Sequence, residues 1–306
     1  ASMATSPVFG GSVISFDATK ALTRKGIIDV VAIDGIAVAV VADNWWRANK
    51  ALEEVEIQWD TKGNGEVSNE TILAQFNESL AAPDAAPMPN NAGDADQALA
   101  NAEQVLEADY FTPFLSHSPM EPMGATVRIT GERVDIWAST QSPEGLVGEM
   151  VNALGVEEEN VYAHRVQAGG GFGRRGGSSD YARAAALIAA ELPDGTPVKM
   201  LWTREEDTQH DFYRPLAMYR LKGGLDANGM ITGWKARIAS GSILNQMRGA
   251  PLRGGVDFTA VEGFTQLPYN IPDQFQDFKL TPTHVPLGFW RTVGWSQTPF
   301  AREQFI

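Results

Sequence analysis

Two hydrophobic periods alternate along the first third of the chain. Val30 to Ile33 and Ile36 to Val41 are β-branched runs on either side of Asp34-Gly35, a pair that accepts the positive φ of a tight turn, so the pattern predicts a hairpin. The period then lengthens. In NWWRANKALEEV, Trp46, Ala48, Leu52 and Val55 fall near helical spacing behind Asp43, the expected N-cap, and VEIQW returns to a strand pattern before the turn TKGNG. Residues 1–80 thus read as a small α/β unit. From Ala81 to Asp96 the segment AAPDAAPMPNNAGDAD offers almost nothing to bury and reads as a linker.

Residues 97–306 read as a second domain. ATVRIT and RVDIWAST are strands around Gly131-Glu132, and Ser142-Pro143 opens a helix that Gly155 can close. A strand predicted over Val161 to Ala168 runs into GGGFGRRGG, after which Ser178 or Ser179 can cap the Ala-rich helix SSDYARAAALIAAEL. VKMLWT is a strand, and DANG turns a hairpin inside YRLKGGLDANGMITGWKARIASG. The closing helix, QTPFAREQFI, stops without Gly, Asn or a following Pro, which reads either as a chain cut inside a domain or as a frayed C-terminal helix. The class expected is α+β.

Charge and composition narrow the function. Lys and Arg number 24 against 38 Asp and Glu, a net charge of −14 that opposes a nucleic acid partner. The absence of Cys removes thiolate zinc sites, thiol nucleophiles and any iron–sulfur cluster held by this chain alone. The longest apolar stretch, Ile27 to Ala42, is broken by Asp29, Asp34 and Gly35, so no membrane span is expected.

The densest chemical signal is Gly169 to Gly177. Consecutive glycines let main-chain N–H groups converge without Cβ obstruction before a helix, which suits an anion or an oxo group, and Arg174 and Arg175 strengthen that expectation. Taken literally, Gly171-x-Gly173-x-x-Gly176 also fits the dinucleotide fingerprint. Against it, His164, Arg165 and Gln167 lie on the preceding strand, where a central parallel strand should be apolar. A purely structural glycine turn is the third reading. In PLGFWRTVGWSQ, Arg291 can grip a phosphate or a polar ring edge while Gly294 permits close approach of the main chain; the plainer reading is a surface arginine beside a turn. Gln141, in STQSP, is a ligand-facing amide or a local cap. Glu205 to Asp207 read as a solvated helix start, and the four scattered histidines as structural.

In chain order, MEPMGATVRITGERVDIWASTQSP, VQAGGGFGRRGGSSDYARAAALIA, PVKMLWTREEDTQHDFYRP, LDANGMITGW and VPLGFWRTVGWSQTPFAREQFI closely resemble the molybdenum-binding subunit of the xanthine dehydrogenase and aldehyde oxidase family. SPVFGGSVISFDA, VAVVADNWWRANKAL and the QWD strand end look most like its isoquinoline 1-oxidoreductase β-subunit type. The resemblance implies a hammerhead domain over 1–80, a linker over 81–96 and part of the molybdopterin-binding domain over 97–306. It also implies that the family's glutamate base lies outside this chain, leaving the chain incomplete as a catalyst.

Carried over residue by residue, Gln141 matches the glutamine that approaches the apical oxo ligand. Gly170, Gly171, Phe172 and Gly173 match the loop beside the metal and its dithiolene, and Arg291, Gly294 and Gln297 match the second cofactor loop. Arg174-Arg175-Gly176 stands where purine-oxidising members have Gly-Lys-Glu, so xanthine is not the expected substrate. The resemblance implies oxidative hydroxylation of aldehydes or N-heterocycles, molybdopterin cytosine dinucleotide as cofactor, a small [2Fe-2S] partner subunit, and a bacterial cytoplasmic or periplasmic setting. A binding module or hydrolase without redox chemistry is the alternative.

Overall fold

The computed structural model describes all of residues 1–306. The chain forms two compact units interleaved in sequence, the first from residues 1–66 and 116–212, the second from 67–115 and 213–306. This division cuts across the expected 1–80, 81–96 and 97–306. The physical reason is long-range strand pairing: residues 81–96 are no free linker, because Ala86–Pro87 pairs with Asp273–Leu280 and Met88 is buried in the second unit's core.

In the first unit, Ala37–Ala42 is the central strand of a three-stranded antiparallel sheet, flanked by Ser2–Thr5 and Ile27–Ile33. The predicted hairpin turns at Asp34 (φ 48°) and Gly35 (φ 67°), the doubly positive geometry that matches strand twist. Every other residue of the central strand serves a different core. Val38 and Val40 pack with Ala48 and Ala51 of helix Trp45–Leu52, whereas Ala39 and Val41 join the larger cluster. The helix is capped by Asn44, one residue past the expected Asp43, whose carboxylate is taken by Arg47.

That unit also holds an antiparallel strand pair, Ser12–Asp17 with Glu56–Asp60, and a four-stranded sheet in the order Val161–Arg165, Arg133–Ala138, Gly124–Thr130, Val198–Leu201, in which only the first pair is parallel. Helices Pro143–Leu154 and Asp180–Ala190 contribute Leu146, Met150, Tyr181 and Ile188 to the core over one face. Val161–Arg165 is an edge strand and ends three residues before the expected Ala168. An edge strand is not the central parallel strand that a dinucleotide fold requires before its glycine loop, so the nicotinamide reading of Gly171 to Gly176 fails on topology.

The second unit is built on a five-stranded sheet, Ala86–Pro87, Asp273–Leu280, Ile231–Ser240, Ala217–Leu225, Gln104–Thr112. One face buries Tyr219, Leu221, Trp234 and Ile238 with Phe264 and Ala301. The opposite face lies under helices Asn69–Ala81 and Ala95–Ala100. No helix is long and apolar enough to cross a membrane.

Candidate cofactor-binding loops

The glycine loop of the first unit leaves the edge strand and reaches the one-turn helix Arg174–Gly177 through three positive φ angles, Gly170 (100°), Phe172 (57°) and Gly173 (112°). Phe172 pays for this geometry with backbone strain, since left-handed φ is costly for a bulky residue. What holds it there is the pair of arginines that follows. Both are buried, so the support they lend an anion-holding loop is structural and not a direct contact from their side chains.

Arg175 is a hub. Its guanidinium donates to the carbonyls of Gly170 (2.8 Å), Ser139 (3.3 Å) and Glu121 (2.9 Å), and to the Glu121 carboxylate (3.0 Å). Its own carbonyl accepts from the Gln141 N–H (2.9 Å) and the Thr140 hydroxyl (3.2 Å). Glu121 closes the ring by accepting from the Gly169 N–H at 2.8 Å. Three segments far apart in sequence are thereby fixed around one planar cation, the use for which five fixed N–H donors suit Arg over Lys.

Arg174 points the same way, into the unit. It forms a bidentate pair with Asp180 (2.8 and 2.9 Å) and reaches Asp211 at 3.0 Å. Asp211 also accepts from the Ser116 hydroxyl and pairs with His117, both its side chain and that of His117 being only 1% exposed. Burial alone would push the Asp211 carboxyl up, but the His117 hydrogen bond and the Arg174 charge outweigh it and hold it below its ordinary range. Asp207, expected on a solvated helix start, is buried instead; burial lifts its carboxyl despite the Arg174 and Arg204 charges. Sequence reading missed this network, whose only local signal is Asp180 placed six residues after Arg174.

With the arginines turned inward, the loop's outward donors are main-chain groups. The N–H groups of Gly170, Gly171 and Phe172 have no partner within the protein. Gln141 adjoins them: its Oε1 accepts from the Gly173 N–H at 3.3 Å, leaving the Nε2 amide free to donate. A Cβ on Gly171 would lie 2.5 Å from that Oε1. The donor set, all N–H and no carboxylate, fits oxo and dithiolene groups of an anionic cofactor. Gln141, Gly170, Gly171, Phe172 and Gly173 are therefore brought together as the sequence suggested.

The second loop belongs to the second unit. Thr292 (φ 69°) and Val293 (φ 53°) are successive left-handed residues before the turn Val293–Trp295 and helix Thr298–Phe305. A β-branched residue adopts that region only when its surroundings over-determine it, and here they do. The Gly294 N–H donates to Glu262 at 3.0 Å, the Thr298 hydroxyl donates to the carbonyls of Glu262 and Gly294, and a Cβ on Gly294 would meet the Thr259 carbonyl at 2.4 Å. Burial raises the Glu262 carboxyl above its ordinary range, the Asp257 charge adding to it. Asp257, wholly buried, accepts from Ser242 and Thr259 and anchors the other side. Gln297 is buried and accepts from Ser296, whereas Arg291 is exposed and forms no ion pair.

None of the histidines joins a metal-ligating cluster. His164 pairs with Asp135 at 2.9 Å and stacks on Trp137, and His210 meets the Ser6 carbonyl at 3.0 Å.

The family model described as molybdopterin cofactor-binding domain matches residues 81–306. The chain is similar to the membrane-bound aldehyde dehydrogenase [pyrroloquinoline-quinone] of Gluconacetobacter polyoxogenes, 28% identical over 255 residues that make up 81% of this chain and 33% of that protein. It is likewise 28% identical, over 251 residues, to the aldehyde oxidoreductase molybdenum-binding subunit PaoC of Escherichia coli O157:H7, covering 81% of this chain and 32% of PaoC. Among solved structures, quinoline 2-oxidoreductase from Pseudomonas putida 86 shares the fold with a TM-score of 0.73 at 16% identity, over 99% of this chain and 44% of that one. The chain thus spans about a third of the length of these curated relatives.

Proposed function

Because the chain belongs to the molybdopterin cofactor-binding domain family, we propose that it supplies cofactor-holding loops of a molybdenum hydroxylase that oxidises aldehydes or N-heterocycles. The observation that carries this reading is the run of unpartnered N–H groups at Gly170, Gly171 and Phe172 beside the Gln141 amide. When bound, the molybdenum–molybdopterin group supplies oxidation of a C–H bond with oxygen derived from water and two electrons passed on.

The chain's own residues do the holding. The loop amides and Gln141 Nε2 donate to the anionic face of the cofactor, and low reorganisation is built in because Arg175 and Glu121 have already fixed the loop. In the second unit, taken by itself, Arg291 offers a free guanidinium to an anionic or polar group, on a turn held by Glu262 and Thr298. Phe172, exposed on the strained apex, gives the loop an apolar surface toward a substrate of low polarity. The cytosine dinucleotide form and electron transfer to a small [2Fe-2S] subunit belong to the same proposal. This chain has no Cys to ligate a cluster itself, which supports that part of the reading.

The test is co-purification of the full subunit from a host that makes the cofactor, followed by molybdenum and pterin analysis and dye reduction with benzaldehyde, quinoline and xanthine. Molybdenum and pterin in equal amounts, with turnover of the aldehyde or the N-heterocycle, are expected. Protein that is folded, free of pterin and inert toward all three would overturn the reading.

A further inference from the structure

A cavity of about 430 Å³ lies in the second unit, over the face of the five-stranded sheet opposite its main core. The strand register sets its chemistry. Arg220 lies directly across from Arg237, and Lys222 directly across from Lys235, so the two central strands place a square of four cations on one face. Directly opposed like charges destabilise a sheet, and here two such pairs are adjacent in a protein of net charge −14. Carboxylates stand only outside the square: Asp109 and Glu107 on the strand beyond Arg220 and Lys222, and Asp277 beyond Arg237. Across from Lys235 that outer position is Phe275, and Asp96 of helix Ala95–Ala100 supplies the counter-charge instead.

The four cations are not equally committed. Arg237 holds Asp277 in a bidentate pair and donates to the carbonyls of Leu80 and Ala82 at the end of helix Asn69–Ala81, so it is a strut between sheet and helix. Arg220 spends its Nε and one Nη2 hydrogen on Asp109, which leaves both Nη1 hydrogens. Lys222 and Lys235 each make one ion pair, with Glu107 at 2.9 Å and Asp96 at 2.8 Å. Those carboxylates are 48% and 81% exposed, and such solvated pairs are weakly held. The carboxylates Asp96, Glu107 and Asp277 also line the cavity, each paired with one of these cations, and the rest of its wall is apolar, chiefly Leu80, Leu99, Val105 and Phe275.

We propose that this cavity binds a small organic phosphate monoester, its phosphoryl oxygens taking the spare donors of Arg220, Lys222 and Lys235 and its apolar group lying against Leu99, Val105 and Phe275. A dianion at the centre of the square adds compensation between the opposed cations, each of which is otherwise paired with a carboxylate at the edge. Tetrahedral oxygens suit donors converging from two strands, and an aromatic or aliphatic group suits the walls. The site depends on no residue of the glycine loop or of the 291–297 turn, so it stands or falls independently of the cofactor.

The experiment is calorimetric titration of the full chain with phenyl phosphate, inorganic phosphate and phenol at constant ionic strength. Saturable one-site binding of phenyl phosphate is expected, at least tenfold tighter than inorganic phosphate, with none for phenol. The double variant Lys222→Gln/Lys235→Gln, which leaves the Arg237 strut intact, should bind at least tenfold more weakly. Lys62→Gln, an exposed change in the other unit, should alter affinity less than twofold. Far-ultraviolet circular dichroism confirms folding, and Lys222→Gln alone is the second variant if the double one is unfolded. Absence of saturable binding, or equal weakening by Lys62→Gln, would overturn the site; equal affinity for phenyl and inorganic phosphate would overturn the apolar contact.

Discussion

The two cofactor-loop candidates use arginine in opposite ways. In the first, Arg174 and Arg175 are buried and turned inward, and the groups left for a ligand are main-chain N–H donors. In the second, the Glu262 carboxylate and the Thr298 hydroxyl hold the turn, and Arg291 is left exposed and forms no ion pair. The lesson is that an arginine beside a glycine loop is defined by where its counter-charges lie. Asp180, Asp211 and Glu121 draw the first pair inward; no carboxylate pairs with Arg291. Loop rigidity thus comes from buried cations in one unit and, in the other, from a half-buried carboxylate and a buried hydroxyl.

That contrast can be broken by substitution, and the largest effect is expected at Arg174. Arg174→Met leaves Asp180 and Asp211 without their buried cation and should cost about 3–5 kcal/mol in urea denaturation. A loss below about 1 kcal/mol would show that the inward network does not support the loop. Next come the two glycines. Gly294→Ala drives a Cβ against a main-chain carbonyl and should cost about 1–3 kcal/mol. Gly171→Ala meets only the end of the Gln141 side chain, so its stability should stay within about 1 kcal/mol of wild type while cofactor retention falls. Equal destabilisation by the two would erase the distinction between a packed turn and a ligand-facing loop.

A smaller effect is expected with pH. Hydrogen bonds from Arg133, His164 and Arg128 hold the Asp135 carboxyl far below its ordinary range despite burial. A carboxyl lowered in the folded state contributes stability above the unfolded value of about 3.9, and that contribution is lost as pH falls toward the folded value. Asp135→Asn should therefore flatten the stability profile below about pH 4, as followed by thermal melts across an acid series. An unchanged acid limb would remove Asp135 from the account. The smallest effect on stability is at Arg291. Arg291→Ala should melt as wild type, within about 0.5 kcal/mol, yet retain less molybdenum, and equal retention would leave it a plain surface residue.

What was legible in the sequence was local. Asp34-Gly35 fixes its hairpin through φ alone, and Ser142, Pro143 and Gly155 mark both ends of their helix through capping chemistry. The glycine-loop donors and Gln141 were also readable, because one needs only absent side chains and the other lies at a strand-to-helix step. What escaped was non-local. The tiny strand Ala86–Pro87 exists only because Asp273–Leu280 pairs with it from nearly two hundred residues away, so a stretch poor in apolar residues read as a linker. The inward turn of Arg175 depends on Glu121, 54 residues earlier in the chain, and no spacing rule announces that partner. The four-cation square escaped for the same reason, since Arg220, Lys222, Lys235 and Arg237 are unremarkable singly and become a site only through register.

The central claim is that the amides of the glycine loop hold the cofactor while the buried arginines hold the loop. Its most direct test is the molybdenum-to-protein ratio, with matched pterin fluorescence, for the full subunit as wild type and as Gly171→Ala, both shown folded by near-ultraviolet circular dichroism. Near-stoichiometric molybdenum in the wild type and a severalfold drop in the folded variant is the predicted result. Equal molybdenum in both, or none in a folded wild type, would contradict the account.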